Sequence, residues 1–158
     1  MANSFEIIRY KQKLISSIVN QDTIINLIDS DYIGIGDELI YNNIFPYMRV
    51  PHTEEEKLTY ITMRVDVPNI SSSRKTLKDI LITISVVTHQ DLMKVENGGG
   101  TRTDLLGAEI DNLFNGSDEF GIGQLELKSN FEENVDYKHR CRTLKFVVTD
   151  INRSLCGD

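Results

Sequence analysis

The sequence predicts an α+β fold, in which an antiparallel or mixed sheet of about four to five strands carries an N-terminal helix and a central helix on one face. Residues 4–19 and 102–115 repeat apolar side chains at intervals of three, four and seven, the spacing of an amphipathic helix. Residues 58–67 and 79–89 have strand-like patterns, and a second pair of strands follows the central helix. By its length the chain is one domain, 1–158.

The chain begins with two predicted helices. The first covers residues 4–19, with Asn3 or Ser4 as its N-cap. Its apolar face consists of Ile7, Ile8, Leu14, Ile15, Ile18 and Val19. A shorter helix is predicted to start at Asp22 as its cap and to end before Gly34 and Gly36, which indicate a loop. Its apolar residues are Ile24, Ile25, Leu27 and Ile28.

Residues 37–57 are predicted to be extended but not a central strand. Pro46 and Pro51 each lack the N–H group that a central strand needs. We therefore expect an edge segment, held in place by Phe45 and Tyr47, followed by a solvated acidic loop at 54–56.

Two strands are expected next. Residues 58–67 alternate apolar with polar side chains, the pattern of a half-buried strand. Residues 79–89 are apolar on one face and partly apolar on the other, which predicts a central strand covered on both sides.

The second half of the chain predicts a capped helix and a hairpin. Thr101 or Thr103 can cap the helix at 102–115, and Gly116 fits a left-handed C-terminal position. The helix should bury Leu105, Leu106, Ile110, Leu113 and Phe114. Strands at 123–131 and 141–150 are joined by an acidic loop at 132–138.

Composition limits the possible functions. A net charge of −7 and a pI near 5.0 argue against a dedicated nucleic-acid binder, which usually carries a basic face. We expect a cytosolic product, because the sequence shows neither a signal peptide nor an apolar run of membrane-spanning length. Cys141 and Cys156 lack metal-site spacing and are expected to be free thiols.

Two short basic clusters have two interpretations. One contains Arg74, Lys75 and Lys78, and the other runs from Lys138 through His139, Arg140 and Arg142. They are either solvated strand ends or contacts to an acidic surface. In the second case the acidic surface would be Glu54, Glu55 and Glu56 of a neighbouring copy.

The histidines and the glycine run offer little chemistry. His52, His89 and His139 each lie at an element end, where surface positions are expected, although His89 and Asp91 could hold a metal. The sequence shows neither a nucleophile elbow nor a zinc-binding pattern. Gly98, Gly99 and Gly100 precede a helix N-terminus, which can bind phosphate, but the lysine of a P-loop is missing. A flexible loop is favoured.

Carboxylates also cluster along the central helix and beyond it. They are Asp104, Glu109, Asp111, Asp118 and Glu119. Asp104 and Asp111 share a helical face and could bind a divalent ion, but a solvated polar face explains them as well. Alternatively, Arg102 and Asp104 could pair across a subunit contact.

Three stretches resemble a known family. Asn43-Ile44-Phe45-Pro46-Tyr47 with Val50-Pro51 precedes a strand, 101–106 begins a helix that ends at Leu113-Phe114-Asn115-Gly116, and 121–129 leads into the last hairpin. This pattern is similar to the small tail-terminator and neck proteins of tailed bacteriophages and related prophage particles. The resemblance covers most of the chain, from the first helix to the final strand.

The resemblance implies a structural virion protein, located in the tail or neck and assembled in the host bacterial cytoplasm. Such subunits form a hexameric ring that caps the tail tube, ends its polymerisation and presents the head-joining surface. The resemblance implies no catalytic residue, cofactor, metal or membrane partner. The implied partners are further copies of the chain, the tail-tube protein and neck or connector proteins, while DNA passes through the lumen without specific binding.

Mapping contacts onto this chain is our own expectation. The predicted interface residues are Glu54, Glu55, Glu56, Arg74, Lys75, Lys78, Gly98, Gly99, Gly100, Arg102, Lys138 and Arg140. Two alternatives stay open: a head-side connector or stopper of the neck, and, in another class, a small cytosolic enzyme or ligand-binding domain. The latter would use His89, Asp91 and the glycine loop.

Overall fold

A computed structural model describes residues 3–28, 36–68, 76–96 and 98–152. The helices are α1 (Asn3–Val19), α2 (Asp22–Ile28) and α3 (Arg102–Phe114). The strands are β1 (Ile44–Phe45), β2 (Thr59–Asp66), β3 (Leu77–His89), β4 (Glu126–Asn134) and β5 (His139–Ile151). Short 3₁₀ turns occupy Gly36–Leu39 and Gln90–Leu92. The predicted α+β class and element order are confirmed.

The five strands form one mixed sheet in the order β1-β2-β3-β5-β4. The two-residue strand β1 pairs parallel with β2, and the other pairings are antiparallel. β3 is central and almost wholly buried, as its two apolar faces predicted. β1 lies at one edge, where Pro46 stops the ladder after Phe45, so the prediction of an edge segment is also confirmed.

One face of the sheet carries the helices and the main core. On β3 this face presents Ile80, Ile82, Ile84 and Val86, each with no exposed surface. They pack in one cluster with Leu14 and Ile18 of α1, Ile24 and Ile28 of α2, and Leu106, Ile110 and Phe114 of α3. Burying each such side chain contributes about 1.5–3 kcal/mol, so this layer dominates the stability of the fold.

Both ends of α3 follow the sequence prediction closely. The Thr101 side chain accepts a hydrogen bond from the Asp104 N–H at 3.3 Å and so caps the first turn. Gly116 has φ +84°, the left-handed conformation that glycine adopts without steric cost. The buried face is narrower than predicted, since Leu105 and Leu113 are half-buried.

The last hairpin differs from its predicted limits. β4 starts at Glu126 instead of residue 123, because the Leu125 N–H donates to the Ser117 carbonyl, which ties the preceding segment to the end of α3. β4 continues through Asn134, so the connection is only 135–138. Glu132 lies opposite Arg142 on β5, and such opposite-charge pairs favour continued pairing over an acidic loop.

Lys78 is not a surface residue, which corrects its assignment to a basic strand end. Its ammonium group donates to the Glu6 carboxylate beneath α1, and its exposed fraction is 1%. Beside it, the Tyr10 hydroxyl donates to Asp150, the β5 partner of Lys78 in the ladder. Burial and the Asp150 carboxylate raise the pKa of Tyr10 above its usual range. These polar side chains fix the N-terminal half of α1 on the sheet.

β4 forms the second edge of the sheet. Most of its side chains are exposed, and among the described residues no strand pairs with its outer edge. The edge carries charges of both signs, including a Lys128–Glu126 ion pair. Within the described ranges, none of the helices combines the length and the apolar character that crossing a membrane requires.

Truncating the central strand tests the helix-covered core. We expect Ile84→Ala to lower the free energy of unfolding by about 2–5 kcal/mol, because it leaves a cavity in the core that the surrounding side chains fill only in part. Ile122→Ala is the matched control, since Ile122 is 56% exposed and should change stability by less than about 0.5 kcal/mol. Urea unfolding measures both, and equal losses would contradict this assignment of the core.

Candidate assembly surface

In the part of the chain that the structure describes, no helix covers the second face of the sheet. Its apolar end is a small cluster of Phe45, Tyr60, Val87 and Cys141. The segment after β1 folds over this cluster, so that the Arg49 guanidinium lies 4.9 Å from the Phe45 ring centre and 4.6 Å from that of Tyr60. These cation–π contacts hold the segment after β1 in place, so that it forms one boundary of the part of the face that is left uncovered.

A groove crosses this face next to the segment that contains Arg49. One side is formed by Met48, Arg49 and Val50, and the other by the end of β4 with Glu133, Asn134 and Val135. Small side chains form the floor: Thr62, Ser85, Val87 and Cys141. The groove has a volume of about 280 Å³, below the roughly 300–1,000 Å³ typical of small-molecule sites. It has room for side chains of a protein partner.

The floor is polar but internally bonded. Ser85 and Thr143 share a hydrogen bond of 2.9 Å, and the Thr143 hydroxyl lies 3.2 Å from Glu133 Oε1. Burial raises the pKa of the Cys141 thiol, so the group is a poor nucleophile despite its position in the groove. Cys141 is a free cysteine, as predicted, whereas Cys156 lies outside the described residues.

An exposed apolar patch continues from the groove around the β1 edge. Tyr41, Tyr47, Met48 and Val50 have exposed fractions of 64%, 47%, 46% and 70%. Tyr41 also has φ +65°, which is uncommon for a large side chain and costs about 1–2 kcal/mol. Exposed apolar side chains grouped in this way mark interaction surfaces more often than scattered ones do.

The predicted acidic run forms the exposed loop that was expected, but two of its carboxylates have partners within the chain. Glu55 pairs with Lys138, which keeps the pKa of Glu55 below its usual range. Glu56 accepts from Arg49 at 2.5 Å and from the His52 N–H at 3.1 Å. Desolvation would raise the pKa of Glu56, but these donors lower it on balance.

The predicted basic residues fall into different environments. Arg74 and Lys75 lie outside the described residues, and Lys78 is buried. Lys138 and Arg140 lie at the hairpin turn, where Arg140 donates to the carbonyls of residues 136, 137 and 139. The structure therefore brings Lys138 to the acidic loop of its own chain. Whether the remaining charges meet a neighbouring copy stays a prediction.

The expectation that all three histidines lie at the surface is wrong for two of them. His89 and His139 pair across β3 and β5 with ring centres 5.1 Å apart, and their exposed fractions are 1% and 0%. His139 Nδ1 lies 2.9 Å from Asp136, and its Nε2 lies 2.8 Å from the Glu56 carbonyl. Both ring nitrogens of His139 therefore face a hydrogen-bond acceptor.

This arrangement joins the acidic loop to the hairpin turn. Desolvation would raise the pKa of Asp136, but hydrogen bonds from the His139 ring and from the N–H groups of Lys138 and His139 lower it. Sequence reasoning missed the contact because the partners lie far apart in the chain. Only the register that places His89 opposite His139 could have indicated it.

The glycine loop is exposed, and its two ends are held. The Arg102 N–H donates to the Met93 carbonyl at 2.8 Å, and its side chain donates to the carbonyls of Leu92 and Leu27. Arg102 is therefore buried, which corrects its placement at a subunit contact. Gly98, Gly99 and Gly100 remain at the surface between these anchors, and a role in docking is untested.

Two of the three carboxylates of α3 have partners within the chain. Asp104 binds the Arg142 guanidinium at 2.5 Å, and Glu109 accepts from the Thr23 hydroxyl at 3.0 Å. The predicted alternative of an Arg102–Asp104 pair between copies thus gives way to an Asp104–Arg142 pair within the chain. Among the residues that the structure describes, no group of three or more His, Cys, Asp or Glu side chains is placed to hold a metal ion.

Comparison with known families gives one informative match. The model of the YomW family matches residues 10–148, most of the chain, and the chain therefore belongs to that family. YomW is the name of a protein derived from Bacillus phages and prophages, so the match indicates a phage-related origin. A search of curated proteins gave no match.

Acid should weaken the junction between the acidic loop and the hairpin turn. The pKa values of Glu55, Glu56 and Asp136 are lower in the folded chain than in the unfolded one. Their contribution is complete above the unfolded values, near pH 4, and is lost as pH falls through the folded values. Urea midpoints measured from pH 7 to pH 3 should fall less steeply for Asp136→Asn. The same slope in both proteins would contradict the junction.

The backbone of Tyr41 provides a second test. Asparagine tolerates the left-handed conformation better than tyrosine, so Tyr41→Asn should raise the free energy of unfolding of the subunit by about 1 kcal/mol. The control is Tyr137→Asn, because Tyr137 is 78% exposed and is not among the residues with positive φ. A loss of stability in Tyr41→Asn would mean that the ring contact with Tyr47 outweighs the backbone strain.

Proposed function

We propose that this YomW-family chain is a structural, non-enzymatic protein of a tailed bacteriophage or prophage-derived particle. In this proposal it forms a hexameric ring that caps the tail tube, ends tail polymerisation and provides the surface that joins the head. The observation that carries the proposal is the match to a phage-derived family across nearly the whole α+β fold. The resemblance of residues 43–51, 101–116 and 121–129 to tail-terminator and neck proteins adds the specific role.

The surfaces of the subunit support a ring. A ring needs a heterologous interface, in which two different patches of one subunit meet. The subunit offers different surfaces on its two sides: a grooved sheet face with an apolar rim, and a helical layer whose exposed side chains are mostly charged or polar, with Phe5 and Ile8 as apolar exceptions on α1. Surfaces that differ in shape and charge suit head-to-tail contacts better than a two-fold dimer.

The two side chains best suited to catalysis, His139 and Cys141, are hydrogen-bonded or buried, which favours a structural role over a catalytic one. The His139 ring is occupied by Asp136 and the Glu56 carbonyl, and the Cys141 thiol is buried. The groove is small and lined mainly by apolar or small side chains. The net charge of −7 suits a lumen through which DNA passes, because an acidic wall does not retain the phosphate backbone.

Native mass spectrometry and negative-stain imaging, with and without the tail-tube protein, test the proposal. We expect rings of six subunits, either from the chain alone or when tube protein is added. A chain that stays monomeric under both conditions and does not bind the tube would overturn the proposal. Rings that co-purify with filled heads instead of tail tubes would move the protein to the head side of the neck.

A further inference from the structure

We infer that the outward face of α1 in one subunit docks into the groove on the sheet of the next subunit. The inference rests on the proposed ring and names the contact that would build it. Three features carry it: the apolar and basic side chains that α1 presents outward, the shape of the groove, and the charge at its rim.

The outward face of α1 is apolar at its N-terminal half. Phe5 and Ile8 have exposed fractions of 66% and 54%, although they lie one turn apart on a helix with a well-packed inner face. Arg9 and Gln12 belong to the same outward face. The contacts of Glu6 and Tyr10 with the sheet hold the helix in this rotation, so Phe5 and Ile8 cannot turn into the core of their own subunit.

The groove offers a matching receptor. Met48, Val50 and Val135 give it apolar sides, and the small threonine and serine side chains of the floor leave space for inserted side chains. Its volume of about 280 Å³ favours two side chains over a drug-sized ligand. The exposed apolar patch at Tyr41 and Tyr47 extends the surface that a docked helix would cover.

The unpaired charges of the two surfaces are opposite, since Arg49 at the side of the groove is paired with Glu56. Within the described part of the chain, Arg9 and Lys11 form no ion pair, and neither does Glu133 at the groove rim. The only acidic residue of α1, Glu6, is buried against Lys78, so the exposed side of the helix is basic. Charges of this kind set orientation and encounter rate when they meet across an interface.

A second copy is the occupant that this geometry selects. α1 lies on the helix-covered face and the groove on the opposite face, so α1 cannot reach the groove of its own subunit. Helix to groove is a contact between unlike patches and repeats from copy to copy, as a ring requires. The competing occupant is a short helix or peptide of another protein. In that case Glu133 would pair with a charge of the other protein, and Arg9 would form no contact in the groove.

Charge reversal tests the contact. Arg9→Glu and Glu133→Lys should each reduce the fraction of subunits in rings at least roughly tenfold, measured by native mass spectrometry in the presence of tube protein. The double variant Arg9→Glu/Glu133→Lys should restore ring formation to within about threefold of the unaltered chain, since the opposite charges face each other again. Asp118→Lys, an exposed residue away from the groove, is the control for net charge.

An apolar pair of variants makes the test independent of charge. Ile8→Ser should weaken ring formation, while Ile122→Ser, at a similar exposure of 56%, should not. Unchanged melting temperatures show that each variant folds. Rings that form equally well in both charge variants overturn the contact and leave the ring intact. A chain that never forms rings removes the proposed function and the contact together.

Discussion

The fold depends on one constraint: β3 is hydrogen-bonded along both edges and buried on both faces. A strand in that position must satisfy two different layers with alternate side chains. On one face β3 presents branched aliphatic residues, which the three helices cover. On the other it presents Thr83, Ser85 and Val87, and small side chains there allow a groove in place of a second helical layer. Because successive side chains of a strand point to opposite faces, the alternating sequence of β3 gives the sheet one face covered by helices and one face with a groove.

The sequence predicted those features that depend on local spacing. The helix cap at Thr101, the left-handed Gly116 and the central position of β3 each follow from a few adjacent residues. It did not predict the burial or the partners of the charged and aromatic side chains, because these depend on the register between distant segments. Lys78 looked like part of a basic surface cluster, and its burial follows only from the placement of α1 above that point of the sheet. The His89–His139 contact was missed for the same reason, because it depends on the register that places the end of β3 opposite the start of β5.

The candidate surface was predicted only in part. Phe45 was correctly expected to fix the edge segment, whereas Tyr47 has an exposed fraction of 47% and lies at the surface. The groove could not be foreseen from single segments, because β2, β3, β4 and β5 all contribute to it. Much of the charge that was expected to link copies is used within the chain instead, at Glu55–Lys138, Arg49–Glu56 and Asp104–Arg142. Internal pairing of this kind leaves fewer charges to define an interface, which gives more weight to those that remain, such as Arg9 and Glu133.

The outer edge of β4 has a consequence for how the protein behaves at the high local concentrations of particle assembly. An exposed strand edge invites another strand to extend the sheet, and chains with flat, apolar edges form fibres by that route. Four of the nine residues of β4 are charged, namely Glu126, Lys128, Glu132 and Glu133, so an incoming identical strand meets like charges or must desolvate them. Open-ended growth through the sheet is discouraged. Subunits protected in this way can accumulate before they are needed without becoming a polymer themselves.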